Sequence, residues 1–214
     1  RYVRSDATGA GNGSDWTNAY TALPSSLVRG DTYYIADGSY SGYRFDDANS
    51  GSTIITIKKA IPSDHGTSTG WSDSYGDGQA AFSGGLVFTT SYWVIDGQTG
   101  GGAANNWTGN FGISITERGD GNALLSLGEL ANGGRANDIQ IRHVDLQGKR
   151  SVSTMGGGIS NDALAVYGSN NATLSYFRMR GIGRCPVFAS ARNLVVEHGW
   201  VESYNGSSAV HSGK

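Results

Sequence analysis

The stretch Asn137-Asp138-Ile139-Gln140-Ile141-Arg142-His143-Val144-Asp145-Leu146 decides the fold, because its chemistry returns twice without a gap. The first return is Asn170-Asn171-Ala172-Thr173-Leu174-Ser175-Tyr176-Phe177-Arg178-Met179. The second is Arg192-Asn193-Leu194-Val195-Val196-Glu197-His198-Gly199-Trp200-Val201. Ile141 to Leu174 is 33 residues and Leu174 to Val196 is 22. Asp138, Asn171 and Asn193 form an Asx column. Ile139, Ala172 and Leu194 form an apolar column, as do Ile141, Leu174 and Val196. Val144, Phe177 and Gly199 form a looser one, and Leu146, Met179 and Val201 a good one. Each copy follows an apolar run: Leu124–Leu127, Leu164–Tyr167 and Val187–Ala189. The earlier segment from Leu86 to Ile95 has the same layout of strand, short polar turn and strand.

Geometry follows from the spacing. Alternation puts Ile139 and Ile141 on one face of a strand. The step from Ile141 to Val144 changes the phase, so a bend near His143, Tyr176 and His198 is expected to turn both halves inward. A unit of this length with short strands and turns is one coil of a solenoid, its neighbours stacking about 4.8 Å away. Uneven spacing then reflects insertions at the turns, at Gly97–Phe111, Gly128–Arg135 and Lys149–Gly158. Further short runs rich in β-branched and aromatic residues read as strands: Thr32–Ala36, Ser52–Lys58, Tyr92–Ile95 and Ile113–Thr116. Helical patterning is nearly absent. The one candidate is Trp16–Leu27, with Asp15 as its cap.

Composition agrees. The 214 residues hold 34 Gly and 3 Pro, 16 basic and 18 acidic side chains, and a net charge of −2. Charge is sparse at 16% while aromatics reach 10%, which excludes a disordered chain. A balanced charge gives no drive toward nucleic acid or an anionic membrane surface. No run of about 18 apolar residues exists, so no membrane-spanning helix is expected. Cys185 stands alone, which excludes an internal disulfide and a Cys-based zinc site. The chain begins at Arg1, as expected of a processed product or fragment. The sequons at Asn12, Asn106, Asn171 and Asn205 are what chance gives in such a chain.

These repeats resemble the right-handed parallel β-helix proteins of the pectate-lyase-like superfamily. The N-terminal part is similar to their opening: Tyr2-Val3, a Gly/Asn-rich turn to Asp15-Trp16, a short capping helix, then Gly30-Asp31-Thr32-Tyr33-Tyr34-Ile35-Ala36-Asp37-Gly38-Ser39-Tyr40. The resemblance implies an all-β single domain over residues 1–214, a solenoid with an N-terminal capping helix. No polar capping segment precedes Lys214, so further chain or another subunit is expected to meet the last coil. The resemblance also implies a secreted, extracellular, bacterial protein that binds or acts on polysaccharide, as a lyase of acidic polysaccharide if it is an enzyme. Calcium is the cation such a lyase would take.

The family's catalytic bases are Lys or Arg, which makes Arg178, Arg180 and Arg184 the candidate catalytic residues. Repeat alignment sets Asp145 beside Arg178, and Arg180 beside Gln147 and Glu202. The plainer reading is therefore surface ion pairs, each contributing about 0–1 kcal/mol. His143 and His198 share a corner column with Tyr176 between them, which favours a structural corner over a metal pair. His65 and His211 lie in polar loops with no visible partner. Asp46, Asp47, Asp73 and Asp77 are the candidate metal ligands, though none sits in an EF-hand pattern. Glu117, Glu129, Glu197 and Glu202 do not make an assignable glycosidase pair. Gly100–Gly102 and Gly156–Gly158 lack the Lys-Ser/Thr of a phosphate loop. Trp107 and Trp200 are candidate sugar-stacking residues, with Trp71 and Tyr75 as further exposed aromatics. The alternative function is structural: end-to-end stacking of copies into a fibre, or a tail-spike or adhesin role.

Overall fold

A computed structural model describes residues 1–116, 122–129, 135–149 and 162–202. Of the residues named above, Glu117, Gly156–Gly158, Asn205 and His211 lie outside the described residues, as does the C-terminal segment to Lys214. The described chain is all-β. Its strands are β1 (Tyr2–Val3), β2 (Thr32–Ile35), β3 (Gly38–Phe45), β4 (Ile55–Lys59), β5 (Ala80–Phe88) and β6 (Trp93–Asp96). They continue with β7 (Ile113–Thr116), β8 (Ala123–Leu127), β9 (Ile139–Gln147), β10 (Asp162–Arg180) and β11 (Val187–Glu202). Two 3-10 turns, Asp73–Tyr75 and Ala103–Asn105, are the only helical elements among the described residues.

Among the described residues every strand pairing is parallel, and the pairings fall into three ladders. The first runs β1–β2–β4–β6–β9–β10–β11, through Tyr2↔Tyr34, Thr32↔Thr56, Ile55↔Trp93, Trp93↔Ile139, Ala172↔Ile139 and Ala172↔Leu194. The second links Tyr43↔Leu86, Leu86↔Leu125, Leu164↔Leu125 and Leu164↔Val187. The third links Gly38↔Ala80, Ala80↔Ile113, Ile113↔Val144, Phe177↔Val144 and Phe177↔Gly199. Long strands bend and serve more than one ladder. Taken strand by strand, β9–β7–β5–β8–β10 therefore closes on itself as a parallel barrel of five strands through the β9–β10 pairing.

The repeat columns are spatial columns. Ala172 faces Ile139 and Leu194, Leu174 faces Ile141 and Val196, and Met179 faces Leu146 and Val201. The expected bend is present. His143, Tyr176 and His198 hold left-handed backbone with φ of 58°, 50° and 52°. On either side of it Ile139, Ile141, Val144 and Leu146 are all buried. One core runs between the ladders, from Val3 and Ile35 through Phe45, Phe88 and Trp93 to Leu174 and Met179.

One expectation needs correction, and one strand is new. Residues 16–27 form no helix. Asp15 Oδ1 does accept the Asn18 backbone N–H at 2.8 Å, but the chain then leaves the turn so that Tyr20 can pair with β1 beside Val3. β3 lies outside the runs whose composition reads as strand, since Gly and Ser are weak strand formers. Its strand character comes from pairing with β5, not from its own propensity.

Candidate functional site

The third ladder carries Asp145 on β9 and Arg178 and Arg180 on β10. Arg178 is the register partner of Asp145, and Arg180 that of Gln147. Alternation points these side chains away from the core, yet they are not on open surface. Asp145 is 3% exposed. A loop wall made by residues 61–63, 76–79 and 99–111 stands across from the ladder. Between wall and ladder lies a cleft of about 700 Å³, lined by Asp77, Gln79, Asn110, Asp145, Arg178 and Arg180 among others.

The ion pairs cross the columns instead of following them. Arg180 grips Asp145 with Nε at 3.2 Å and Nη2 at 2.8 Å. Arg178 Nε stands 3.7 Å from Asp145 and 2.8 Å from Glu202 Oε1. The Glu202 contact is a close charge pair whose angle is not that of a hydrogen bond. The Arg178–Asp145 proximity expected from the repeats is thus present, while Arg180 turns to Asp145 instead of Glu202. Burial of Asp145 lifts this cluster out of the class of exposed pairs. Arg178 Nη1 also donates to the Thr108 carbonyl at 2.7 Å, tying the loop wall to the ladder. Trp107 adjoins that carbonyl in sequence. Trp200 is Arg178's register partner on β11 and is exposed, its indole N–H donating to Glu202 at 3.3 Å. Trp200 is thus Arg178's neighbour on the ladder, while Trp107 is tied to it only through the backbone of Thr108, and neither indole lines the cleft.

Arg184 lies elsewhere. Its guanidinium forks onto Asp162, which is fully buried and also accepts the Cys185 backbone N–H at 3.0 Å. That arrangement anchors the turn into β11. Burial raises the Cys185 thiol pKa, the Asp162 charge adding to it.

The acidic candidates are scattered. Asp47 accepts from Ser26 Oγ at 3.0 Å and the Leu27 N–H at 2.8 Å. Asp46 lies 3.4 Å from Arg44, and Asp73 accepts from the Trp71 indole at 2.9 Å. Only Asp77 reaches the cleft. No three His, Cys, Asp or Glu side chains gather as a metal site among the described residues.

The histidine corner is a ring stack. His143 and Tyr176 lie 4.9 Å apart, and Tyr176 and His198 5.0 Å. His65, expected to be without a partner, stacks on Trp71 at 4.2 Å. Trp71 in turn packs on Trp16, and Tyr75 meets Trp71 edge-on, so both serve local packing.

Sequence reasoning missed the Lys59–Asp37 pair behind the cleft wall. Lys59 is fully buried, with Nζ 2.6 Å from Asp37 Oδ1 and donating to the Ala60 carbonyl at 2.5 Å. Asp37 Oδ2 accepts the Gly78 N–H at 2.5 Å, fixing the loop that bears Asp77 and Gln79. Burial lowers the Lys59 pKa, and Asp37 opposes that shift. Inward alternation from Ile55 and Ile57 to Lys59 was the available clue.

Comparison with protein-family models, with curated proteins and with solved structures finds no match for this chain.

Proposed function

We propose that this chain is a right-handed parallel β-helix protein of the pectate-lyase-like kind that binds acidic polysaccharide in the Arg178–Arg180 cleft. Support for the β-helix comes from three parallel ladders that share strands and recur in one register, each return being one coil. Parallel crossovers are right-handed in nearly all known sheets. The observation that carries the functional reading is the cleft. Two guanidiniums stand on a rigid ladder, pre-oriented by buried Asp145, across from amide and hydroxyl groups of Gln79, Thr99 and Asn110. Guanidinium forks recognise carboxylates, and amides and hydroxyls recognise sugar hydroxyls. Exposed Trp200, Arg178's register partner, would supply a face for a sugar ring at the end of the cleft. A guanidinium stays protonated in proteins, so the arginines bind and orient rather than remove a proton. A lyase step would draw its base from another group, and calcium would offset the uronate charge.

Calorimetry with uronate oligosaccharides and their neutral counterparts tests this. Uronate binding that falls about tenfold in Arg178→Ala and in Arg180→Ala, and is unchanged in Arg44→Ala, is the expected result. Equal binding of neutral chains, or indifference to both cleft substitutions, would sink it. Unsaturated-product absorbance with and without calcium tests the lyase step.

A second reading, self-association, rests on β11. Phe188, Val195, Trp200 and Val201 are 48%, 43%, 44% and 47% exposed, and β11 pairs only with β10 among the described residues. An unpaired edge with apolar side chains is a template for another strand.

A further inference from the structure

A second depression lies where β10 and β11 bend from the second ladder into the first, on a different ladder from the cleft. It measures about 390 Å³ and is lined by Arg135, Gly168, Asn170, Ser190, Ala191 and Arg192. The β10–β11 register slips here, between Tyr167 and Asn170. Gly168 has φ 69°, and a Cβ placed on it would come within 3.5 Å of Arg135 Nε, so the arginine side chain lies across the glycine. Arg192 is the register partner of Asn170.

The chemistry of the lining is one-sided. Among the described residues it holds two guanidiniums, an amide and a hydroxyl, and no carboxylate. Every other arginine among the described residues reaches a carboxylate or, for Arg29, a set of backbone carbonyls. Arg135 and Arg192 have neither among the described residues. Residues 130–134, which precede Arg135 in the chain, include no acidic residue other than Glu129 just before them. Two unpaired cations on one small depression repel each other, and an anion between them would reverse that cost. Guanidinium geometry suits a flat or tetrahedral oxyanion, held by paired N–H donors.

We propose that Arg135 and Arg192, with Asn170 and Ser190, form an oxyanion site that takes a sulfate or carboxylate group, either as a free ion or as a glycan substituent. The site is independent of the cleft and of the function proposed for it. An exposed position makes its affinity salt-dependent.

The test is a two-dimensional NMR titration of the full chain, following backbone amides and arginine Nε–Hε signals. Sodium sulfate is compared with sodium chloride at constant ionic strength. A sulfated disaccharide is compared with its unsulfated form. Saturable sulfate shifts at Arg135, Asn170, Ser190 and Arg192 are expected. Arg135→Gln and Arg192→Gln should each weaken binding about tenfold. Ser190→Asp, which keeps both arginines and places a carboxylate beside them, should abolish it. Arg44→Gln should change nothing. These positions are exposed, and circular dichroism of each variant verifies its fold. Tighter binding of the sulfated disaccharide than of inorganic sulfate assigns the site to a glycan, and equal binding to a free ion. Shifts that fail to saturate, match those of chloride, or persist in the arginine variants overturn the proposal.

Discussion

Asn171 shows how much one residue does at a corner. Its backbone is left-handed, φ 55°, as are Asp138 above it at 56° and Asn193 below it at 54°. Asn tolerates that region better than other non-glycine residues, and its short amide bonds locally. Here the amides also chain together. Asn171 Nδ2 donates to Asp138 Oδ1 at 3.1 Å, and Asn193 Nδ2 to Asn171 Oδ1 at 3.0 Å. Asn171→Ala should therefore lower stability by about 1–2 kcal/mol, chiefly through backbone strain. Asn171→Gly, which removes the strain but also the amide, should cost less. Urea unfolding of both variants checks the order, and an Ala variant as stable as Gly would refute the strain argument. This column was legible because the left-handed corner is a local demand that an Asx residue meets, and the repeat brings that corner back at a fixed place in each copy. The Lys59–Asp37 pair was not, because its partners meet only after β2 and β4 have paired. Lys59→Met should destabilise by about 3 kcal/mol, since it leaves Asp37 uncompensated. Asp37→Asn combined with it should recover much of the loss, and additivity of the two changes would contradict the pairing. The pH dependence has a definite sign. The folded pKa of Lys59 is lowered, so between that value and the ordinary lysine value the unfolded chain binds more protons. Stability contributed at this site rises with pH across that window. Comparing wild type with the double variant at alkaline pH isolates it.

At the scale of elements, the ladders tolerate weak strand formers where backbones touch. Gly42 in β3 sits where its register with β5 shifts, between Ser41 and Tyr43. A Cβ there would lie 2.6 Å from the Gly84 carbonyl carbon and 2.6 Å from the Gly85 oxygen. Those are backbone atoms and cannot swing aside. Gly42→Ala should then cost about 1–3 kcal/mol. Ser41→Ala beside it should be close to neutral. Equal thermal midpoints for wild type and Gly42→Ala would show that the bulge can open. Here sequence reading fails for a physical reason: a glycine that permits close approach looks the same as one that makes a turn. The Trp16–Leu27 helix failed for another. Asp15 caps a single turn, but Trp16 is fully buried, its indole donates to the His65 carbonyl at 3.0 Å, and Tyr20 pairs with β1. Tertiary contacts override a propensity of a few tenths of a kcal/mol per residue. Runs flanking the repeats were legible because two ladders demand the same inward positions.

For the whole molecule, the two terminal strands of the first ladder differ in kind, and this decides what self-association can build. A head-to-tail fibre needs one open edge to meet another, different one. β1 does not offer it. The Arg4 N–H donates to the Tyr20 carbonyl at 2.8 Å, and the Tyr20 N–H to the Tyr2 carbonyl at 2.9 Å. The Tyr2 N–H is taken by the Gly13 carbonyl at 3.2 Å. Residues 13–20 thus cover the outer edge of β1, doing without a helix what the sequence assigned to one. β11 keeps its edge among the described residues. Association through β11 alone brings like to like and closes as a two-fold pair. Light scattering over rising concentration should show mass approaching that of two copies and no further. Val196→Lys, which sets a charge on the exposed edge strand, should hold the chain at one copy. Growth past two copies, or filaments under the electron microscope, would mean that another edge joins, either β1 freed of the Tyr20 segment or β3, which pairs only with β5 among the described residues.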